Sequence, residues 1–240
     1  EVNTGFTLSN YQGNHNITYT VRDKAGNSTT ITTTMHYDNV KPVVGSFTIK
    51  GNSDAYEGYT KTRTLKLTSV PTVTESNISD QMLWVTFYDA KDENCVYSAA
   101  VAPSLNYQFN LLDYQGEHTV TYTVVDKANN MTHVFVNIIL DSTAPTGGTV
   151  NCSNCNNWTN KDINPTYTGA SDTNFDGYYT SYDGVNWLPT SLLYWGEECN
   201  AKYYFRAYDK AGNSTVKTFV YYLDKKTPEI TGFTTNPATS

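Results

Sequence analysis

One pattern occurs three times at fixed spacing, and this constrains the fold more tightly than any other feature of the sequence. The copies are centred on Tyr19-Thr-Val-Arg-Asp-Lys-Ala-Gly-Asn27, Tyr122-Thr-Val-Val-Asp-Lys-Ala-Asn-Asn130 and Phe205-Arg-Ala-Tyr-Asp-Lys-Ala-Gly-Asn213. Counting from Asp23, Asp126 and Asp209, a second Asp follows after fifteen residues and a Pro after nineteen. Those pairs are Asp38 and Pro42, Asp141 and Pro145, and Asp224 and Pro228. Spacing repeated this closely implies one structural unit used several times.

Within each copy the residues alternate. Ile17, Tyr19 and Val21 occupy the same columns as Val120, Tyr122 and Val124, and as Tyr203, Phe205 and Ala207. Their neighbours in the first two copies (Thr18, Thr20, Thr121, Thr123) are hydroxylated. A period of two with one apolar face is what a half-buried strand requires. The alternation resumes after the turn with Ile31, Thr33, Met35 and Tyr37, and with Val134, Val136, Ile138 and Leu140. In the third copy Lys217 falls on the apolar column, so that strand is expected to begin one residue later. Asp-Lys-Ala-Gly/Asn-Asn between the runs predicts a hairpin turn, with Gly or Asn accepting positive φ. No stretch of ten or more residues keeps an apolar 3.6 period, and Tyr and Thr suit pleated surfaces, so an all-β fold is expected.

The Asp-Lys-Ala-Gly-Asn hairpin followed by Asp-x-x-x-Pro resembles the bacterial immunoglobulin-like domains found in tandem on Gram-positive surface proteins. It is also similar to the HYR-type modules of animal extracellular proteins. Gly58-Tyr-Thr-Lys-Thr-Arg-Thr-Leu-Lys-Leu-Thr68, Trp158-Thr-Asn160 and Tyr182-Asp-Gly-Val-Asn-Trp187 extend the resemblance. The sequence departs from that pattern at Asn129, where Gly is usual, and in having cysteines. The resemblance implies tandem immunoglobulin-like β-sandwiches at a cell surface. With boundaries at the prolines, residues 1–41 would be the C-terminal part of one domain, 42–144 and 145–227 complete domains, and 228–240 the start of a further domain or a linker. About forty residues are too few to close a core of their own, so the natural protein is expected to extend past both ends.

Candidate sites are few. Counting from Asp172, oxygen side chains at Asp172, Asn174, Asp176 and Asp183 with Gly177 between them match a calcium-loop register, with Asp in place of the usual Glu. No helices are expected to flank it, and a polar turn explains the same residues. Calcium is also considered at Asp23, Asp38, Asp126, Asp141, Asp209 and Asp224, which recur at strand ends. Tyr194 and Trp195 are candidates for stacking on a sugar in a glycan-binding module. Cys152 and Cys155 lack the further ligands of a zinc site. A disulfide from Cys199 to Cys155, or to Cys152, fits an oxidising setting.

A net charge of −7 with scattered Lys and Arg argues against nucleic-acid binding. No apolar run is long enough to span a membrane. The motifs Gly-x-Ser-x-Gly and His-Glu-x-x-His, and a phosphate-binding loop, are absent from the sequence. The expected function is a non-catalytic stalk or spacer of a large extracellular surface protein or adhesin, its partners the neighbouring domains of the same protein. Two alternatives are a module binding glycans or a host surface, and an accessory region of a secreted hydrolase or phage surface protein.

Overall fold

The computed structural model describes residues 5–51, 56–75, 84–89, 94–99, 103–153, 155, 157–192 and 199–234. The chain divides into two units, Glu1–Leu140 and Asp141–Ser240. Among the described residues all regular structure is strand, and no helix is long and apolar enough to cross a membrane.

In the first unit the strands are β1 (Gly13–Arg22), β2 (Ser28–Tyr37), β3 (Val43–Val44), β4 (Thr48–Gly51), β5 (Tyr59–Thr60), β6 (Thr64–Ser69), β7 (Val73–Thr74), β8 (Trp84–Asp89), β9 (Asn94–Ala99), β10 (Gln108–Asn110), β11 (Gly116–Val125) and β12 (Met131–Leu140). From β3 onward they make a sandwich. One layer is β5-β12-β11-β8-β9 and the other β10-β6-β4, with β3 and β7 a short ladder beside them. The apolar columns read from the sequence face inward: Val120, Tyr122, Val124, Ile138 and Leu140 meet Phe47, Leu65, Leu67, Phe109 and Leu111 in one buried cluster.

The second unit contains β13 (Thr146–Asn151), β14 (Trp158–Thr159), β15 (Thr166–Ser171), β16 (Phe175–Ser181), β17 (Cys199–Asp209) and β18 (Ser214–Leu223). Here the layers are β14-β18-β17-β16 and β13-β15. Ile163 and Tyr167 pack against Tyr203, Phe205, Ala207, Phe219, Tyr221 and Leu223. In both sandwiches a two-residue strand, β5 or β14, pairs parallel with the last strand.

All three repeats are antiparallel hairpins, β1–β2, β11–β12 and β17–β18. The expected one-residue delay in the third copy does not occur. Lys217 lies opposite Phe205, and β18 has the same length as β2 and β12. Burial on this strand increases away from the turn, so Lys217 stands on the core column yet remains exposed. A lysine stem is tolerated at such a rim because its ammonium stays in water.

The first hairpin differs in burial. Tyr19 is 59% exposed although Tyr122 and Phe205, in the same column, are 0% exposed. Val21, Ile31 and Met35 are exposed with it. In the order of strands, β1 and β2 form a two-stranded sheet by themselves.

Candidate metal centre

The hairpin turn is built the same way in each copy. The amide of the first Asp donates to the carbonyl of the Asn four residues on, at 2.9 Å for Asp23, 3.0 Å for Asp126 and 3.1 Å for Asp209. The residue before that Asn has φ 94° at Gly26, 70° at Asn129 and 95° at Gly212. This is a three-residue hairpin loop closing on a left-handed residue, where Gly is unstrained and Asn the best-tolerated alternative. The departure at Asn129 therefore keeps the turn geometry. Asn129→Gly should leave stability within about 0.5 kcal/mol, whereas Asn129→Val should cost about 1–2 kcal/mol, readable by urea denaturation.

The turn Asp also binds the Asn side chain. Asp126 Oδ1 and Oδ2 accept from the Asn130 backbone N and Nδ2, each at 2.8 Å, and Asp209 accepts from Asn213 at the same distances. Asp23 and Asn27 repeat the pair, and these hydrogen bonds from Asn27 hold the Asp23 carboxyl below its ordinary value.

These Asn side chains have a second task. Asn130 Nδ2 donates to the carbonyl of Asp38 at 3.2 Å, and Asn213 Nδ2 to the carbonyl of Asp141 at 2.8 Å. Two residues further on, Thr132 Oγ1 donates to the carbonyl of Pro42 and Thr215 Oγ1 to that of Pro145, both at 2.6 Å. The spacing of Asp, Asp and Pro thus has a mechanical meaning. Asn and Thr beside one turn clasp the Asp and Pro carbonyls at the entry to that same sandwich.

The clasp draws three carboxylates together at each entry. Asp38, Glu75 and Asp126 form one trio, and Asp141, Asp172 and Asp209 the other; within each, one oxygen per residue lies within 4.8 Å of the others. In both, the first and third acids are buried and the second is half-buried. Asp38 Oδ1 accepts from Val40 N at 2.9 Å, while its buried Oδ2 accepts no hydrogen bond from the described residues. Asp141 is better supplied, by Thr143 N at 3.1 Å, Thr143 Oγ1 at 2.7 Å and Asn174 Nδ2 at 2.7 Å. Burial pushes the Asp141 carboxyl up, but these donors outweigh it and the net shift is downward. Asp172 moves the other way, raised first by burial and then by the charges of Asp141 and Asp209. Carboxylates crowded out of water repel one another unless protons or a cation intervene. The donor set is oxygen only, which suits a hard cation of the calcium type and not zinc.

The residues in the calcium-loop register have separate hydrogen-bond partners. Asp172 belongs to the trio, and Asn174 turns its amide toward Asp141. Asp176 accepts from the Tyr179 hydroxyl at 2.8 Å. Asp183 is occupied within its own turn. The backbone amides of Asn186 and Val185, then the Asn186 side chain and the Ser181 hydroxyl, hold its carboxyl far below the usual range. Of the six recurrent Asp residues, the structure places Asp38, Asp126, Asp141 and Asp209 in trios. Glu75 and Asp172 complete them, and the clasping Asn and Thr residues hold them in place. The recurrence of Asn27, Asn130 and Asn213, and of Thr29, Thr132 and Thr215, was the available signal for that clasp.

Cys155 is bonded to Cys152 and not, as expected, to Cys199. The two lie on one short loop with Cα atoms 5.7 Å apart, an ordinary separation for a disulfide. Tyr194 and Trp195 lie outside the described residues.

Residues 2–39 match the family model of a bacterial Ig-like domain. That match covers the first copy of the hairpin, which the other two copies repeat. The chain carries two β-sandwiches in tandem, each containing this hairpin. No curated protein matches it. Among solved structures, the fibronectin(III)-like modules of Clostridium thermocellum CbhA are similar at 16% identity, over 79% of this chain and 100% of theirs, with a TM-score of 0.48. A 1.5-MDa bacterial ice-binding adhesin is similar at 13% identity, over 90% of this chain and 76% of that one, with a TM-score of 0.38. The FN1–FN3 domains of chicken CNTN1 are similar at 11% identity, over 86% and 77%, with a TM-score of 0.37. The acidic trio stands at the same place in both sandwiches, where the chain enters the module.

Proposed function

We propose that these modules are a non-catalytic spacer region of an extracellular surface protein, and that a divalent cation of the calcium type fastens the entry to each sandwich. The recurrence of the acidic trio supports this reading most strongly. Two modules with different cores gather three carboxylates from the same three places, one before the first strand and two from separate parts of the sandwich. The residues fit such an ion: all donors are hard oxygens, and Asp38 offers a buried oxygen that no described group satisfies. A bound cation would neutralise the crowded charge and link strand ends far apart in sequence. That is a use for a module that must keep its shape under load, and it needs no catalytic group.

Calcium should therefore raise the melting temperature relative to chelator. At a free concentration a hundred times the dissociation constant, linkage supplies about 2.7 kcal/mol. For a module of roughly 100 residues that corresponds to a shift on the order of 10 °C. Scanning calorimetry in calcium and in chelator gives the answer, and coincident curves would sink the cation reading.

A further inference from the structure

The two acidic trios each hold three carboxylates, so formal charge does not set them apart. The hydrogen bonds that reach them do. At each entry the amide two residues after the first Asp donates to its Oδ1, Val40 N to Asp38 at 2.9 Å and Thr143 N to Asp141 at 3.1 Å. The side chains at that position differ. Thr143 Oγ1 gives Asp141 Oδ1 a second hydrogen bond at 2.7 Å, and Val40 has no hydroxyl to do the same. The other oxygen differs as well. Asp141 Oδ2 accepts from Asn174 Nδ2 at 2.7 Å, whereas the buried Oδ2 of Asp38 accepts from no described group. Yet Asp38 and Asp141 are similarly withdrawn from water, at 8% and 5% exposure. The turn acids do not distinguish the sites, since Asp126 and Asp209 accept the same pair of bonds from Asn130 and Asn213.

A carboxylate oxygen offers a cation the same electron pairs that it offers an N–H or O–H donor. Donor hydrogens also carry positive partial charge, which repels a cation beside them. At Asp141 an ion must therefore displace the Thr143 hydroxyl and the Asn174 amide, or share oxygens with them. At Asp38 it meets an oxygen whose removal from water no described group offsets, a costly state that coordination relieves. The first site gains more from the ion and gives up less for it.

We infer that the two entry sites take up calcium in order. The Asp38–Glu75–Asp126 site fills at the lower concentration, and Thr143 and Asn174 hold the Asp141–Asp172–Asp209 site until calcium is abundant. This rests on the cation reading above and adds a graded response to it. Between the two thresholds the first sandwich is fastened by an ion and the second by its own hydroxyl and amide. Two competing donors, each worth about three- to tenfold in binding, set the thresholds apart by at least about tenfold.

Titrating the full chain with calcium chloride, with backbone amides followed by nuclear magnetic resonance, tests the order. The amides of Asn130 and Asn213 donate to Asp126 and Asp209, so each reports on its own site. The Asn130 shift should reach its midpoint at least about tenfold below the Asn213 shift. Val40→Thr supplies the missing hydroxyl and should raise the Asn130 midpoint about three- to tenfold, with Asn213 unmoved. Thr143→Val removes the hydroxyl and should lower the Asn213 midpoint by a similar factor. Both positions are exposed and the two side chains have nearly the same shape, so the fold is kept. Asn174→Ala should also lower the Asn213 midpoint. Coincident or reversed midpoints, or a swap that leaves its midpoint in place, overturn the inference while the cation reading stands. An Asn213 midpoint that rises in Asn174→Ala overturns it too, since Asn174 would then be a ligand and not a competitor. No shift at either amide up to about 10 mM calcium, beyond the weak range of extracellular calcium modules, overturns both.

Discussion

Phe205→Ala is expected to cost about 3–5 kcal/mol, whereas Tyr19→Ala, in the same column of the repeat, should cost less than about 1 kcal/mol. Phe205 is fully buried between the layers of the second unit and packs against Tyr167, with ring centroids 6.1 Å apart. Removing it takes away a large apolar area and leaves a cavity that neighbours on two sheets cannot close. A loss of that size is a large part of the stability of one domain. Hydrogen exchange reports each hairpin separately. Phe205→Ala should raise exchange across β17 and β18 while leaving β11 and β12 protected, and Tyr19→Ala should change neither. Equal losses from the two substitutions would mean that the β1–β2 face is covered in solution.

Gly148→Ala should destabilise the second unit by about 3 kcal/mol. Two costs add at this position. Its φ of 77° is left-handed, a conformation that penalises a side chain by about 1–2 kcal/mol. A Cβ there would also stand 2.6 Å from Cε2 and 2.8 Å from the hydroxyl of Tyr167. That ring cannot swing away, because it is fully buried and meets Tyr178 edge-on at 5.2 Å. Overpacking of this kind costs about 1–3 kcal/mol. Gly147 separates the two terms: its φ of 74° is also left-handed, but a Cβ would meet only the Gly169 carbonyl at 3.4 Å. Gly147→Ala should therefore lose the conformational part alone, and urea midpoints for the two variants should differ accordingly. Tyr167→Leu should recover part of the Gly148→Ala loss. Failure of that rescue would assign the whole cost to the backbone.

Much of the architecture is legible along the sequence because it depends on neighbours. Alternation at Val120, Tyr122 and Val124 dictates which face of β11 is apolar. The Asp-Lys-Ala-x-Asn turn sets the hairpin register, and with it every pairing in β1–β2, β11–β12 and β17–β18. Even the substitution at Asn129 is readable, since Asn tolerates the left-handed backbone that Gly26 and Gly212 adopt. Lys217 was misleading for a related reason. Register follows from the turn, so one polar side chain on the column does not shift the strand, and burial near the turn is too shallow to exclude it.

The candidate site follows a different logic. Asp38 and Asp126 recur visibly, but their third partner, Glu75, belongs to a part of the sandwich with no counterpart in the repeat motif. The same holds for Asp172, whose sequence neighbours suggested a loop site of their own. Which carboxylates meet depends on two layers closing over each other, and alternation within a strand does not encode that. By itself, the sequence determined the repeated hairpins, their register and the face each would bury. Only the tertiary structure decided that Tyr122 is covered while Tyr19 is not, and that Asn and Thr beside a turn grip the Asp and Pro entering the same sandwich. Period and turn are local properties of the backbone, whereas burial and the meeting of charges require a second sheet to arrive.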